Sequence, residues 1–156
     1  MRPLSKDLQE FIRLAKANGV EFLIVGAYAL AFHGRPRYTG DLDIFIRRDP
    51  GNADRLMKVI QEFGFGATGI TREDFLKENF VIQLGFEPNR IDLLTGISGV
   101  NFEEAWRTRE TGRLAKEEVW FLSRELFIQN KRSSNRDKDL GDIRLLERTR
   151  PRQKQQ

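Results

Sequence analysis

Residues 25–46 read VGAYALAFHGRPRYTGDLDIFI, and they carry the main signals for the fold. The apolar run 21–25 predicts a buried strand that leads into Gly26, and residues 27–33 predict the helix that follows. Apolar side chains then recur at every second position of 42–46, which predicts another strand. We therefore expect a strand, a glycine turn, a helix and a second strand in immediate succession.

Three aspartates belong to this pattern. Asp41 and Asp43 stand two positions apart, so both carboxylates should project from one face of the second strand. Such close like charges repel unless a cation lies between them, and Mg²⁺ prefers carboxylate oxygens. Asp92 lies in a later strand-like run between Ile91 and Leu93, which should face the core. If the two strands are neighbours, the carboxylates converge and could hold two Mg²⁺ ions, although the D-x-D pair alone also fits solvated acids.

The rest of the chain alternates between helical and strand-like periodicity. Helices are expected at 4–15 and 53–63, from 101 onward, at 123–132, and around Leu140, Ile143 and Leu146, and strands at 80–84, 90–94 and 119–122. The residues 87–89 predict a hairpin, 50–52 a turn and cap, and 71–74 a capping box. The sequence thus predicts one α/β (α+β) domain over residues 1–148, with a mixed β-sheet flanked by helices and a helical C-terminal end.

Composition excludes several classes of site. The 156 residues contain no cysteine and a single histidine, His33, so disulfides and zinc–thiolate sites are excluded and any metal must sit on oxygen ligands. No apolar run approaches the ~20 residues that cross a bilayer, and the start lacks the apolar stretch of a signal peptide. We therefore expect a cytoplasmic protein that does not contact a membrane.

Positive charge is concentrated at the C-terminal end. Residues 131–156 carry nine Lys and Arg residues against four Asp and Glu, whereas the whole chain has a formal net charge of +4. Residues 149–156 have no apolar anchor, and we expect them to form a disordered basic tail. The alternative is that this end attracts nucleic acid, which predicts a salt-dependent affinity that is lost when 149–156 are removed.

Taken together, these motifs resemble the polymerase-β-type minimal nucleotidyltransferases, and they are most similar to the bacterial branch related to the abortive-infection AbiEii toxins. The resemblance rests on 25–44, on 90–106 and on the basic-acidic pattern of 130–142. In that family a glycine-rich turn opens a helix, one strand carries the D-x-D metal ligands and a later strand supplies the third carboxylate. The resemblance implies a nucleotidyltransferase-like fold, with Asp41, Asp43 and Asp92 as catalytic residues that hold Mg²⁺.

The candidates for nucleotide binding surround these acids. They are Gly26, Ala27, Tyr28, Arg37, Thr39, Gly40, Lys131 and Lys138. The turn usually reads Gly-Gly or Gly-Ser in the family, and Ala27 takes the second place here, so phosphate binding should be weaker or reshaped. The family pattern suggests that Lys131 contacts the triphosphate, while the alternative is a surface lysine over apolar neighbours. Turn chemistry explains Thr39 equally well.

The resemblance implies transfer of a nucleoside monophosphate from an NTP, such as ATP, to an acceptor hydroxyl on RNA or protein. It also implies the toxin of a toxin–antitoxin pair, with an antitoxin protein as partner. The alternative is a catalytically silent module of the same fold that binds a nucleotide or a partner. The sequence leaves open the acceptor, the preferred nucleotide and the oligomeric state.

Overall fold

The computed structural model of this chain describes residues 5–34, 40–64, 69–86, 89–114, 116–134 and 137–148. These residues form helices, a 3-10 helix and strands in nearly regular alternation. In chain order the elements are α1 (Lys6–Ala17), β1 (Phe22–Val25), α2 (Gly26–Phe32), β2 (Asp41–Ile46), α3 (Pro50–Phe63), the 3-10 helix (Arg72–Leu76), β3 (Val81–Leu84), β4 (Arg90–Leu94), α4 (Phe102–Arg107), β5 (Glu110–Leu114), β6 (Glu117–Phe121), α5 (Arg124–Ser134) and α6 (Asp137–Glu147).

All six strands belong to one mixed sheet in the order β3-β4-β2-β1-β6-β5. β2 runs parallel to β4 and β1 runs parallel to β6, whereas the other neighbouring pairs are antiparallel. Helices flank this sheet, and two of them, α5 and α6, form the C-terminal end. The predicted α/β fold with a mixed sheet and a helical end is confirmed.

The central strands are the most apolar. All four residues of β1 are buried, as expected for a continuous apolar run inside a sheet. In β2 the predicted alternation holds, because Leu42, Ile44 and Ile46 are fully buried. Helices α1 and α3 pack together, and the rings of Phe11 and Phe63 meet edge to face with centroids 5.7 Å apart. The apolar side chains of β1 and β2 therefore anchor these two strands in the core, and β2 is the strand that carries Asp41 and Asp43.

The start of α3 differs from the sequence prediction. Residues 50–52 were predicted as a turn and cap, but they form the first helical turn, with Pro50 at a position where proline suits a helix. Asp49 is the cap, and its carboxylate accepts a hydrogen bond of 2.7 Å from the backbone N–H of Asn52. The buried Asn52 amide side chain also bonds the backbone of Glu21 and Arg47, which ties α3 to the ends of β1 and β2.

The sequence prediction missed one strand entirely. β5 reads ETGRL and has a single buried residue, Leu114, so it lacks the apolar alternation that signals a strand. Its partner β6 begins at Glu117, two residues before the predicted start. By contrast, the caps predicted at Thr71, Asn101 and Ser123 are all confirmed.

Among the described residues, no helix combines the length and apolar character that crossing a bilayer requires. The predicted basic tail, 149–156, lies outside the described residues.

Candidate active site

The register of the parallel strands brings the predicted acids together. Asp43 of β2 lies directly opposite Asp92 of β4, and Asp41 lies opposite Arg90. Since side chains alternate between the two faces of a strand, all four project from the same face of the sheet. Ile91 and Leu93 point to the other side and are buried in the core. Residues 49 positions apart in the chain thus meet in one acidic cluster.

Arg90 links two of the three carboxylates. Its Nη2 donates to Asp41 Oδ2 at 2.8 Å, and its Nε donates to Asp92 Oδ1 at 3.0 Å. A further bond joins Nη2 to Asp92 Oδ2 at 3.1 Å. Sequence reasoning did not single out Arg90, although its position two residues before Asp92 in the same strand places it on the same face. The cluster therefore contains its own cation.

Asp43 is the most perturbed of the acids. Burial, which is the largest cause, and the negative charges of Asp92 and Asp41 together raise the pKa of its carboxyl from 3.8 to about 6. A hydrogen bond with the Asp92 side chain also raises this pKa, whereas the positive charge of Lys131 lowers it. The cluster thus retains unfavourable negative charge around Asp43 despite the ion pairs of Arg90.

The glycine turn packs directly against this carboxylate. Gly26 has φ +66°, a left-handed conformation that side chains other than glycine rarely adopt. A Cβ at this position would overlap Asp43 Oδ2 and would lie 3.0 Å from Asp43 Cβ and Cγ. Glycine is therefore required here for two reasons, the backbone conformation and the close approach to Asp43.

The next two residues, Ala27 and Tyr28, belong to the first turn of α2. The side chains of Ala27 and Tyr28 are buried, so their substituents pack into the core. Helix α2 begins at Gly26, and the first N–H groups of a helix have no partner within it. Ala27 therefore lacks the hydroxyl that a Ser would have at this position, and its methyl group is buried.

Lys131 approaches the cluster from α5. Its Nζ lies 5.3 Å from the centroid of the Phe127 ring, and its charge acts on Asp43. Lys131 therefore packs over an apolar neighbour, as the alternative expected, while its charge also acts on the acidic cluster. Gly40 is half-buried directly before β2. Arg37 and Thr39 lie outside the described residues, and so does the side chain of Lys138.

His33, Trp106 and Trp120 make structural contacts. His33 ends α2 and is buried, and its Nε2 lies 2.8 Å from the backbone oxygen of Leu122. Trp106 and Trp120 contact each other edge to face, with ring centroids 5.2 Å apart. The guanidinium of Arg109 lies 3.9 Å from the centroid of Trp106. Trp106 and Trp120 thus join α4 to β6, whereas His33 joins the end of α2 to the residue after β6.

The chemistry of the acidic cluster suits a divalent cation. Asp41, Asp43 and Asp92 offer the carboxylate oxygens that Mg²⁺ prefers, and a cation would relieve the repulsion that raises the pKa of Asp43. Across the described residues, no three acidic or histidine side chains are already arranged as metal ligands. A metal ion would compete with Arg90 for the oxygens of Asp41 and Asp92.

Comparison with known proteins adds one match. A family model described as "Nucleotidyl transferase of unknown function (DUF2204)" matches residues 4–156. There is no significant match to a curated protein. The matched region includes every strand of the sheet and the whole acidic cluster.

Proposed function

Since the chain belongs to the nucleotidyl transferase family of unknown function (DUF2204), we propose that it moves a nucleoside monophosphate from an NTP to an acceptor hydroxyl. One observation carries this proposal: Asp43 faces Asp92 across parallel strands while Gly26 packs against Asp43. An acidic cluster beside a glycine turn suits a triphosphate and its counter-ions, because the turn lets the backbone approach the phosphates closely.

In this reaction the acceptor oxygen attacks the α-phosphorus. A new phosphoester bond forms, the bond between the α- and β-phosphates breaks, and pyrophosphate leaves. Mg²⁺ held by Asp41, Asp43 and Asp92 would neutralise the phosphate charge and lower the pKa of the attacking hydroxyl.

The other residues of the cluster bind and orient the nucleotide. The backbone around Gly26, Ala27 and Tyr28 donates to the phosphates, and Lys131 attracts the triphosphate to the same face. Gly40 allows the chain to pass close to the nucleotide at the start of β2. Arg37, Thr39 and Lys138 complete the predicted binding set.

The substitution Asp43→Asn tests the proposal. It removes a carboxylate without changing the size of the side chain. The rate of pyrophosphate release from ATP in the presence of Mg²⁺ should therefore fall by at least about a hundredfold. Asp7→Asn, the same change at an exposed position on α1, is the matched control and should leave the rate unchanged. Unchanged turnover in Asp43→Asn would refute the assignment.

A second candidate function has its own observation. Because Arg90 forms ion pairs with Asp41 and Asp92, the fold could serve as a catalytically silent module that binds a nucleotide or a partner protein. Calorimetric titration with ATP and Mg²⁺, together with a pyrophosphate assay, separates the two functions. Binding without any release of pyrophosphate supports the silent module.

The likeness of 25–44 and 90–106 to the AbiEii-related branch supports a more specific role. The chain would then be the toxin of a toxin–antitoxin pair, restrained by an antitoxin protein, with RNA or protein as the acceptor. Expression of the wild-type chain should arrest bacterial growth, and Asp43→Asn should relieve the arrest. Arrest that persists in Asp43→Asn at equal expression would contradict a toxic nucleotidyltransferase activity.

A further inference from the structure

Four side chains form a row across the sheet beside the glycine turn. The strand registers place Val25 opposite Asp43, Asp43 opposite Asp92, and Asp92 opposite Gln83. Neighbouring strands are about 4.8 Å apart, so the row spans roughly 14 Å from β1 to β3. Gly26 follows Val25 at one end of the row, and the exposed Gln83 of β3 stands at the other.

The direction of the reaction gives the two ends different roles. In phosphoryl transfer the attacking oxygen and the leaving oxygen lie roughly in line, on opposite sides of the phosphorus. If the triphosphate lies against Gly26, as the proposed function requires, pyrophosphate leaves on the β1 side. The acceptor hydroxyl must then arrive from the β3 side of Asp92.

The surface on that side is the edge of the sheet. β3 is the last strand, and among the described residues no further strand pairs with its outer edge. Val81 is 46% exposed and Phe86 is 89% exposed, and these are the large hydrophobic residues that the described part of the chain exposes. Natural edge strands are usually protected by charged side chains. β5 at the opposite edge carries Glu110 and Arg113, whereas residues 79–86 contain no charged residue.

Charge around this edge distinguishes between acceptor classes. Residues 79–86 carry no Lys or Arg side chain, so this edge offers no cation to the phosphates of a nucleic acid. An uncharged strand edge with exposed apolar side chains instead suits an extended polypeptide, which binds through backbone hydrogen bonds and alternate side-chain contacts.

We propose that the outer edge of β3 binds the acceptor as an extended polypeptide strand, which presents a hydroxyl side chain to the acidic row. This inference rests on the proposed function. The residue paired with Gln83 would lie two strand spacings, about 10 Å, from Asp92. Tyrosine, the hydroxyl side chain with the longest reach, suits this separation better than serine or threonine. Its oxygen forms the phosphoester bond as pyrophosphate leaves, and its proton passes to solvent.

The test follows the transfer of label from α-³²P-ATP in the presence of Mg²⁺ to two probes. One probe is casein, an unstructured polypeptide with many hydroxyl side chains, and the other is a transfer-RNA mixture. Label should appear on casein as AMP joined to tyrosine through a phosphodiester bond and not on RNA. Val81→Lys places a charge on the β3 edge and should lower casein labelling by about tenfold. Thr111→Lys, the same new charge at an exposed position of β5, is the matched control and should label casein as the wild type does. Thermal unfolding verifies that both variants fold.

Each other outcome counts against a specific statement. Label on RNA alone overturns the polypeptide acceptor while leaving the nucleotidyl transfer intact. Equal casein labelling by Val81→Lys and the wild type overturns the β3 edge as the binding surface. Pyrophosphate release without label on casein also overturns the inference. The absence of both label and pyrophosphate release contradicts the proposed function itself.

Discussion

Neutralising Asp43 should stabilise the metal-free protein at alkaline pH. The folded state raises the pKa of this carboxyl from 3.8 to about 6, through burial and through the charges of Asp92 and Asp41. The folded protein therefore holds the proton more tightly than the unfolded chain. At low pH the carboxyl is protonated in both the folded and the unfolded state, so Asp43 does not lower the free energy of unfolding there. Its cost appears as the pH rises above 3.8 and is complete above about 6.

The magnitude follows from the shift. About two pKa units correspond to roughly 3 kcal/mol, at ~1.4 kcal/mol for each unit. Asp43→Asn removes this cost but also alters the hydrogen bond with Asp92, so the informative quantity is a difference between two pH values. The stability gain of Asp43→Asn over the wild type should be larger at pH 8 than at pH 4 by about 2–3 kcal/mol.

Urea unfolding in EDTA, followed by tryptophan fluorescence, measures this difference. Asp7→Asn, the same change at an exposed position on α1, serves as the control. Addition of Mg²⁺ should stabilise the wild type more than Asp43→Asn, since a ligand stabilises the folded state that binds it. An equal gain in the free energy of unfolding at pH 4 and pH 8 would refute the claim that neighbouring charges and burial raise the pKa of Asp43.

Three further predictions follow from neighbouring contacts. Arg90→Gln should bind Mn²⁺ more tightly than the wild type, as measured by calorimetry, and should unfold more easily in EDTA, because Asp41 and Asp92 lose the cation that pairs with them. Weaker Mn²⁺ binding would show that Arg90 does not compete with the metal. Gly26→Ala should destabilise the fold by about 1–2 kcal/mol and also abolish pyrophosphate release, whereas Gly64→Ala, which has positive φ but no neighbour within 4 Å, should lose stability alone. Asn52→Ala should lower the free energy of unfolding by about 2–4 kcal/mol in urea, because buried backbone groups lose their partners, and a loss below 1 kcal/mol would contradict the role given to this amide.

The arrangement of the acids was largely predictable from the sequence, because strand periodicity controls it. Alternation in 42–46 fixes the face of Asp41 and Asp43, and the apolar neighbours of Asp92 fix its face. What the periodicity could not supply was the register between β2 and β4, which places Asp43 opposite Asp92 and Arg90 opposite Asp41. The ion pairs of Arg90 depend on that register.

The errors in the fold have a related cause. β5 contains Glu110, Thr111, Gly112 and Arg113 ahead of its buried Leu114, so local apolar periodicity is absent and pairing with β6 determines the strand. Similarly, 50–52 has the composition of a turn, but Asp49 caps the helix earlier and the side chain of Asn52 finds its partners in residues distant in sequence. Both outcomes depend on tertiary contacts.

The pairing of β2 with β4 also has a kinetic consequence. These strands become neighbours only after residues 47–89 close into a loop, so the chain loses loop entropy before it gains the contacts between them. Electrostatic repulsion between Asp43 and Asp92 arises at that same step. If the pair forms in the transition state for folding, the metal-free chain should refold more slowly at pH 8 than at pH 5, and Asp43→Asn should remove most of this difference. A divalent ion that binds before the transition state would then speed up folding, in addition to its proposed role as a cofactor.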